Sequence, residues 1–470
     1  MGGFTSEDKA GAMTYQPADS PSRRDASENE AMSDGGGWIG TSLFVLSIAL
    51  IAFLVGAYVI IAKVPPYRLL TNAHEAAVAL YAKSTQYSDP YKTDLWYEAR
   101  NDNRGVVTYL ADRAHNGYTL YTSSHEASAF LVDMSGKEVH RWHVPPEEIW
   151  DGKREAAGAI GPFVYIRKSY MFPNGDLLAL YEGSGDTPWG LGLVKLDKES
   201  NVLWTYLDER AHHDLDVGPD GKIYLLTHEM RHEPVPEQGN LETPLIEDFL
   251  TILSPDGDVQ KRFSLLDVIA ESRFKWLYGG LTRRAAQDPL HSNSVKYVGA
   301  EAGDAMNIAR EGDLMISFRN IKLVGVLDPE KEEIVWGTTG PWIGQHDAEP
   351  LANGNILLFD NGGNFNGPAG SRVIEFKPET MEIVWQYEGS EQDPLKSVLR
   401  SEAARLENGN TLITESEAGR FLEVTPEGEI VWEYVNPVRG GDGDKQIPIV
   451  AWAKRYTPEE IDASFRPVSN

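Results

Sequence analysis

The sequence predicts an all-β fold, a six-bladed β-propeller, preceded by one N-terminal transmembrane helix and a short helical stalk. Turn–strand units with an Asn-Gly or Asp-Gly corner recur through the chain, and such corners supply the positive φ angle that a tight turn needs. A second phrase, in which an apolar strand and a polar turn lead to a strand ending in an aromatic residue, recurs beside them. Most of these units are spaced by about 40–50 residues, the length of a propeller blade.

The turn–strand units share an apolar run directly after the turn glycine. They lie at 171–178, 217–224, 309–316, 345–360 and 406–413. The longer interval between Gly221 and Gly312 predicts an insertion around Ser264 to Leu290. Counting the phrases gives about six blades, each a four-stranded antiparallel sheet around a central channel.

The second phrase ends in tryptophan in most of its copies, which predicts a large apolar residue packed between neighbouring blades. Its tryptophans are Trp142, Trp204, Trp336, Trp385 and Trp432. The segment from Pro448 to Ala453 has the texture of one more strand. We expect it to pair with the first blade and to close the ring.

The chain before the propeller divides into three segments. Residues 1–36 are polar and acidic, which predicts a disordered tail. Residues 37–63 hold an uncharged apolar run longer than the ~20 residues that cross a bilayer. The core of a signal peptide is shorter, roughly 7–15 residues, so this run predicts a retained transmembrane helix. Residues 64–103 predict a juxtamembrane helix and a linker, and 104–470 the catalytic propeller.

Composition restricts the partners of the protein. The net charge of −28 predicts that the chain repels nucleic acids. The absence of cysteine excludes disulfides and a thiol nucleophile. The chain has no phosphate-binding G-x-x-x-x-G-K-[ST] loop and no G-x-G-x-x-G after a strand. We therefore expect no nucleotide and no other cofactor.

Four residues at the ends of blade strands are candidates for chemistry: His213, His291, Arg319 and His346. His213 precedes the turn glycine of its unit by the same interval as His346 does. Equivalent positions of a closed repeat converge on the channel, so these side chains would meet at its mouth. Three imidazoles and a guanidinium suit a small divalent oxyanion, because both groups donate hydrogen bonds.

A purely structural explanation competes with this interpretation. Histidines and aspartates at blade turns often only bond neighbouring backbone. For any one of the three histidines alone this explanation is the stronger one. For all three histidines together with Arg319, in matching blade positions, the functional interpretation is favoured.

Two possible metal sites compete with the oxyanion pocket as interpretations. The segment from His228 to His232 fits the H-E-x-x-H pattern, but a zinc protease needs this pattern on a helix. Here it follows a strand and is followed by two prolines, so a helix is not expected. A calcium or other metal site built from Asp214, Asp347 and Asp360 is the weaker alternative. The sequence analysis predicts no metal site.

Several of these phrases resemble the bacterial arylsulfate sulfotransferases, the ASST family, and the likeness extends over roughly residues 110–455. The matching phrases lie at 116–120, 130–133, 212–215, 290–294, 317–319 and 345–355. The resemblance implies a six-bladed propeller that moves a sulfuryl group between phenols without a nucleotide donor.

The resemblance also implies roles for the site residues in a ping-pong reaction. His346 would be the nucleophile and would form a transient sulfohistidine. Arg319, His213 and His291 would bind the sulfuryl oxygens, and one of the histidines would protonate the leaving phenolate. Asn293 and His212 would contribute to substrate binding. The sequence leaves open whether His212 or His213 faces the channel, and the repeat frame favours His213.

The chain departs from the enterobacterial members of that family, which carry an N-terminal β-domain and a disulfide. The expected location is the inner membrane, as a single-pass protein with its propeller on the periplasmic side. The expected partners are an aryl sulfate, a phenol and the membrane, and homo-oligomerisation is left open. The alternatives are a non-catalytic propeller that serves as a scaffold or ligand-binding subunit of a membrane complex, and a hydrolase with water as the acceptor.

Overall fold

A computed structural model describes residues 35–67, five positions between 69 and 77, and then 89–150, 163–183, 190–207, 210–282 and 285–466. Residues 1–34 of the predicted tail and most of the predicted stalk lie outside the described residues. The chain forms two compact units, Met1–Ala79 and Leu80–Asn470.

The first unit contains the helix α1, Gly35–Ala62. Its segment Trp38–Ala62 has a mean hydropathy of 2.8 and is long enough to cross a membrane. Length and composition are the properties that a retained membrane span and a signal sequence have in common. Within the described residues it is the one helix with these properties.

The second unit is a six-bladed β-propeller, as predicted, and its blades are antiparallel sheets. Two strands precede the first blade: β1 (Trp96–Glu98) and β2 (Gly105–Tyr109). Blade 1 contains β3 (Tyr118–Ser123), β4 (Glu126–Asp133) and β5 (Glu138–His143). Blade 2 contains β6 (Val164–Met171), β7 (Leu177–Gly183), β8 (Gly190–Leu196) and β9 (Val202–Tyr206). Blade 3 contains β10 (Ala211–Val217), β11 (Ile223–Arg231), β12 (Leu245–Leu253) and β13 (Val259–Ser264).

The remaining three blades repeat this order from the inner to the outer strand. Blade 4 contains β14 (Ser292–Tyr297), β15 (Leu314–Phe318), β16 (Leu323–Asp328) and β17 (Glu333–Thr339). Blade 5 contains β18 (His346–Pro350), β19 (Ile356–Asn364), β20 (Gly370–Phe376) and β21 (Ile383–Tyr387). Blade 6 contains β22 (Glu402–Arg405), β23 (Thr411–Glu415), β24 (Arg420–Val424) and β25 (Ile430–Val435). The last two strands are β26 (Gln446–Pro448) and β27 (Val450–Tyr456).

Short helices lie between the strands. The α-helices are α2 (Pro146–Ile149), α3 (Leu265–Glu271) and α4 (Ala300–Ala305). The 3-10 helices are Pro90–Lys92, Lys275–Gly280, Ala285–Gln287, Ser416–Ala418, Asp442–Asp444 and Ala463–Phe465. The predicted insertion between blades 3 and 4 is therefore helical. Its Leu266, Ile269 and Tyr278 are buried in the core that blades 3 and 4 share.

The ring is closed by both ends of the propeller sequence. The C-terminal strand β27 pairs with β3 and becomes the innermost strand of blade 1, as predicted. At the other end, β2 pairs with β25 and adds a fifth strand to blade 6. Part of the predicted linker is also structured, because β1 pairs with β26. A strand of three residues is too short to carry a repeat signal in the sequence.

Tight turns hold the inner two strands of the blades together. The turn glycines adopt the positive φ that the Asn-Gly corners predict, for example +86° at Gly175 and +85° at Gly354. A side chain at Gly354 would place its Cβ 2.7 Å from the Ala305 carbonyl oxygen of blade 4. Both the backbone angle and the space therefore require glycine there.

The repeated tryptophans join neighbouring blades, which confirms that part of the prediction. The indole Nε1 of Trp142 in blade 1 donates to the Gly175 carbonyl oxygen of blade 2 at 3.0 Å. Trp432 in blade 6 donates to the Met134 carbonyl oxygen of blade 1 at 2.9 Å. Both indoles are fully buried. Trp204 and Trp385 make the same kind of bond to the following blade.

Near the channel, carboxylates perform the joining role that tryptophan has farther out. Asp214 Oδ2 accepts the backbone N–H of Val295 in the next blade, at 3.0 Å. Asp347 Oδ2 accepts that of Ala403 at 3.1 Å. Two residues farther along each inner strand, Asp216 and Glu349 make the same bond to Tyr297 and Arg405. These matching bonds show that His213-Asp214 of blade 3 and His346-Asp347 of blade 5 occupy equivalent positions in their blades.

Candidate active site

The inner strands of most blades carry an irregularity at the same end of the channel. The pairing register shifts within β6, β10, β14, β18 and β27. A β-bulge bends a strand and re-aims one side chain. In this protein the bulged segments contain Arg167, His213, Asn293 and Ala451, and in β18 the irregularity begins directly after His346. The bulges therefore bring the ends of the inner strands together as one layer of side chains.

The backbone enters the left-handed region next to three of the predicted site residues. φ is +56° at His213, +48° at His291 and +53° at Asp347. This conformation costs roughly 1–2 kcal/mol for a residue with a side chain, and such residues cluster at functional sites. The kink falls on the histidine in blade 3, whereas in blade 5 it falls on the residue after it. The two aligned histidines therefore leave the backbone differently.

His346 is held in one tautomer by oxygen atoms. Its Nδ1 lies 2.8 Å from Asn361 Oδ1 and 2.9 Å from the Gly344 carbonyl oxygen. The orientation of the Asn361 amide is fixed, because its Nδ2 donates to the carbonyl oxygens of Ser397 and Arg400, each at 2.9 Å. Both neighbours of Nδ1 are thus acceptors, so Nδ1 carries the proton. The lone pair of the neutral ring is on Nε2.

The surroundings of His346 keep its ring neutral. The side chain is buried. Burial, and next the Arg319 guanidinium, hold the pKa of His346 well below its usual value. The neutral imidazole is the form of histidine that can act as a nucleophile.

Arg319 follows β15 and lies close to the segment that leads to His346. Its backbone N–H donates to the His291 carbonyl oxygen at 3.2 Å, and its Nη1 donates to Asn320 Oδ1 at 3.2 Å. Nε is buried and has no hydrogen-bond acceptor. Burial lowers the pKa of Arg319 and the nearby Asp288 raises it, but a guanidinium stays charged. This cation therefore has an unused donor next to His346.

His291 and Asp288 form a dyad. The His291 Nδ1 hydrogen-bonds Asp288 Oδ2 at short range. Burial works to raise the pKa of Asp288, but the His291 ring outweighs it and the pKa is lowered. A carboxylate on Nδ1 orients an imidazole and stabilises its protonated form. The ring of His291 also lies against that of His213, with centroids 4.9 Å apart.

His213 faces the other site residues, and His212 lies behind it. The two Nδ1 atoms are 2.6 Å apart. The backbone N–H of His213 donates to Glu182 Oε1 at 2.5 Å. Burial, followed by the two neighbouring histidines, keeps the pKa of His213 well below its usual value. His212 instead stacks on His228, with ring centroids 4.3 Å apart.

Asn293 supports the strand that carries His346. Its Nδ2 donates to the Gln345 carbonyl oxygen at 2.8 Å, and its Oδ1 is buried without a hydrogen-bond partner. It occupies the bulge of β14, where blades 3 and 5 have their aligned histidines. The substrate-binding roles expected of Asn293 and His212 stay predictions.

Arg167 is a second cation near the histidines, and the sequence analysis missed it. It is 2% exposed, and its Nη1 donates to the Ala451 carbonyl oxygen at 2.8 Å. Its charge lowers the pKa of both His213 and His346. The signal available was its place in an inner strand of blade 2, but an Arg-Lys pair inside a strand resembles an ordinary polar face.

A layer of buried ion pairs lies under the histidines. Lys168 Nζ is 2.9 Å from Asp214 Oδ1 and 3.1 Å from Glu402 Oε2. Lys296 Nζ is 2.7 Å from Asp347 Oδ1. A cavity of about 260 Å³ is lined by both lysines and by Asp347 and Glu402, among others, and not by any of the four predicted catalytic residues. The ion pairs therefore stand between that cavity and the histidines.

The structure disfavours both metal sites that were weighed from the sequence. His228 and the two residues that follow it lie on the strand β11, so the H-E-x-x-H pattern lacks the helix that a zinc protease needs. Asp360 accepts from Arg372 Nε at 2.9 Å and from the backbone of Ile343 and Gly363. Asp214 and Asp347 are engaged in the inter-blade bonds and ion pairs described above.

Among solved structures, the similarities are distant. A protein of unknown function from Bacteroides caccae has a TM-score of 0.45 and 12% identity, covering 71% of this chain and 99% of its own. A streptogramin B lyase has a TM-score of 0.39 and 13% identity, covering 74% and 88%. A virginiamycin B lyase from Staphylococcus aureus, in a catalytically inactive form with quinupristin, has a TM-score of 0.38 and 13% identity, covering 72% and 87%.

A search of curated proteins finds no match. A family profile described as arylsulfotransferase (ASST) matches residues 168–437. The match spans more than half of the chain and contains every residue placed above in the histidine layer except Arg167 and Ala451. The chain therefore belongs to the arylsulfotransferase (ASST) family of sulfotransferase enzymes.

Proposed function

We propose that this protein transfers a sulfuryl group from an aryl sulfate to a phenol by a ping-pong reaction, with His346 as the nucleophile. The observation that carries the proposal is the fixed tautomer of His346. Its Nδ1 proton is bonded to Asn361 Oδ1 and to the Gly344 carbonyl oxygen, so the lone pair on Nε2 is the one that can attack.

In the first half-reaction, His346 Nε2 attacks the sulfur atom of the donor. The bond between nitrogen and sulfur forms as the bond between sulfur and the aryl oxygen breaks, which yields a sulfohistidine and a phenolate. Sulfuryl transfer resembles phosphoryl transfer in that alignment and charge stabilisation supply most of the catalysis. The Arg319 guanidinium and the His213 and His291 rings supply hydrogen-bond donors for the sulfuryl oxygens.

The leaving phenolate needs a proton, and the contacts single out His291 for this role. A carboxylate on Nδ1 favours the protonated ring, and Asp288 is placed there. On His213, Nδ1 lies against the imidazole of His212. In the second half-reaction His291 takes the proton of the acceptor phenol, the bond between phenol oxygen and sulfur forms, and the nitrogen–sulfur bond breaks.

The same proposal includes the location. The apolar helix α1 would be retained as a single inner-membrane span, with the propeller on the periplasmic side. A reporter fused after Asn470 checks the side, because alkaline phosphatase is active in the periplasm and not in the cytoplasm. Activity of a cytoplasmic reporter at that position would contradict the orientation.

The full-length protein in detergent is mixed with a chromogenic aryl sulfate and no acceptor, and its intact mass is measured. We expect one added sulfuryl group that maps to His346 and is discharged by phenol. The matched control is His115, a histidine of the loop before blade 1, whose replacement by Gln should leave the adduct unchanged.

Three outcomes distinguish the alternatives. An adduct on His346 that phenol discharges supports the transferase. Rapid release of free sulfate without acceptor, and no accumulated adduct, would indicate a hydrolase. No adduct and no phenol release from folded protein would overturn the catalytic proposal and favour a scaffold or binding subunit.

A further inference from the structure

Behind His213, three adjacent strands of blade 3 bring together two histidines and an aspartate. These are His212 on β10, His228 on β11 and Asp248 on β12. His228 and Asp248 are direct cross-strand partners in the register of the sheet. Each of the three offers one ligand atom, and the three atoms lie within 4.8 Å of one another. All three side chains are buried.

We propose that His212, His228 and Asp248 form a binding site for one first-row divalent metal ion. Two imidazole nitrogens and one carboxylate oxygen are a donor set that suits Zn²⁺ and its neighbours in the first transition row. The three ligands come from one sheet, so they are held in place by the strand pairing.

The side-chain contacts leave the required ligand atoms facing one another. His212 is 1% exposed, and its Nε2 has no hydrogen-bond partner. That atom lies 3.8 Å from Asp248 Oδ1. The other carboxylate oxygen, Asp248 Oδ2, accepts the backbone N–H of Ser292 at 2.6 Å. Oδ1 therefore points at the imidazole with the carboxylate already anchored.

The distances need only a small closure. Two ligand atoms on a tetrahedral zinc ion with bonds of ~2.0–2.1 Å are ~3.3 Å apart. The His212 and His228 rings are stacked, with an angle of 28° between their planes. Metal binding would increase the angle between the two ring planes. Rotation of the side chains allows this change without moving the strands.

Charge also favours a cation at this position. Asp248 is a buried carboxylate, and its ion-pair partner among the described residues is the imidazole of His212. Asp288 lies close enough to act on it as a second negative charge. Burying a carboxylate without a compensating cation is costly, and a divalent ion would offset the charge of Asp248.

The site would act on the reaction through His213. A metal on His212 Nε2 requires the proton of the neutral ring to be on Nδ1. That proton would be donated to His213 Nδ1, 2.6 Å away, so His213 would carry its own proton on Nε2. The metal thus fixes His213 as a donor toward the sulfuryl oxygens. This second step rests on the proposed function, whereas the metal site itself does not.

Metal binding is measured directly on the full-length protein after chelator treatment. Co²⁺ is added and followed by its visible absorption, and Zn²⁺ is counted by elemental analysis after gel filtration. We expect one ion per chain. Asp248→Asn keeps an oxygen for Ser292 and should weaken binding by more than about tenfold, since even residues behind metal ligands cost 10–100-fold. His228→Gln is the second variant, in case Asp248→Asn does not fold.

The matched control is His232→Gln, which changes the second histidine of the same H-E-x-x-H pattern. His232 is exposed and follows β11, so binding should be unchanged. Substoichiometric binding, binding that survives both Asp248→Asn and His228→Gln, or binding lost in His232→Gln would overturn the site. His346→Asn should still bind one ion, which separates this test from the test of the transferase.

The coupling to His213 has its own readout. Inorganic sulfate is titrated into the His346→Asn variant with and without Zn²⁺. We expect sulfate to bind about tenfold more weakly to the stripped protein, because one hydrogen bond to a charged group is lost. Equal affinities, with the metal site intact, would overturn the coupling.

Discussion

Blades 3 and 5 use the same phrase, His-Asp followed by a second acid two residues on, for different purposes. In both blades the acids hold the neighbouring blade, through Val295 in one case and Ala403 in the other. The histidines then diverge. His346 is bonded by oxygen atoms of Asn361 and Gly344, whereas His213 is bonded by another imidazole.

The difference shows that the repeat builds the frame and the neighbours assign the role. Two oxygen acceptors on Nδ1 leave His346 with a single nucleophilic nitrogen. An imidazole on Nδ1 leaves the tautomer of His213 to be decided by His212, which suits a hydrogen-bond donor rather than a nucleophile. Burial, and next the Arg319 guanidinium, lower the pKa of His346.

The largest expected effect comes from replacing the two aligned histidines in turn. His346→Asn should reduce turnover by about 10⁴-fold or more, because it would remove the proposed nucleophile. His213→Asn should reduce it by about 10²-fold, the usual effect of removing one donor to a developing oxyanion. Asparagine tolerates the left-handed backbone at position 213. The measurement is steady-state turnover of a chromogenic aryl sulfate; equal losses in the two variants would break the comparison.

The next effect concerns Asn361, which positions His346. Asn361→Leu removes the acceptor on Nδ1 and should reduce turnover by about 10²–10³-fold, since a wrong histidine tautomer costs up to ~10⁴ in a catalytic triad. Asn361→Asp keeps an acceptor but adds a negative charge. We expect it to raise the pKa of His346. As the pH is lowered, activity should therefore begin to fall at a higher pH than in the natural protein.

The pH–rate profile distinguishes positioning from a purely structural role. A structural defect would lower the whole profile without moving its acid limb. Asn364→Ala, three residues farther along β19, is the matched control. Its Nδ2 bonds Glu388 at 2.7 Å rather than a histidine, so its profile should keep the natural shape.

A smaller effect is expected from Asp288→Asn, which leaves His291 without its carboxylate. Turnover should fall by about tenfold to 10²-fold for donors whose phenol has a high pKa, because these leaving groups depend on protonation. Donors such as nitrophenyl sulfates should be much less affected. The measurement is the dependence of kcat/KM on the pKa of the leaving phenol. An unchanged slope would transfer the role of proton donor away from His291.

The smallest effects are expected at Glu349 and Asp216, the acidic residues two positions after Asp347 and Asp214. Burial, and then the charge of Asp347, raises the pKa of Glu349 to about 7. Burial also raises the pKa of Asp216. A carboxyl with a raised folded pKa loses stability as pH rises from its unfolded pKa to its folded pKa. Glu349→Gln should therefore stabilise the fold by about 1–3 kcal/mol at pH 8 and change little at pH 4.

Asp216→Asn should show the same direction with the transition beginning at lower pH. Urea denaturation of the natural protein and both variants, at pH 4 and pH 8, measures these free energies. A stability gain for Glu349→Gln that is as large at pH 4 as at pH 8 would contradict the linkage to its ionisation.

Much of the fold could be predicted from the sequence, because turn glycines and apolar runs are local signals. The number of blades and the closing strand from Pro448 follow from that repetition. The pairing of Trp96–Glu98 with Gln446–Pro448 could not be predicted, since three residues carry no period and their partner is distant in the chain.

The site was partly predictable for the same reason. His213, His291, Arg319 and His346 are visible at the ends of their strands. Whether His212 or His213 turns inward depends on a left-handed φ angle at His213. This angle cannot be predicted from the presence of a histidine. The cluster of His212, His228 and Asp248 depends on the registers of β10, β11 and β12, so spacing in the sequence could not reveal it.

The closing strand has a consequence for how the protein is made. The innermost strand of blade 1 is β27, so blade 1 waits for a segment that leaves the ribosome after all the other blades. Until then its β3 has an unpaired edge, and exposed edges invite association with other chains. An emerging copy is therefore vulnerable to aggregation until β27 has been synthesised and has paired with β3.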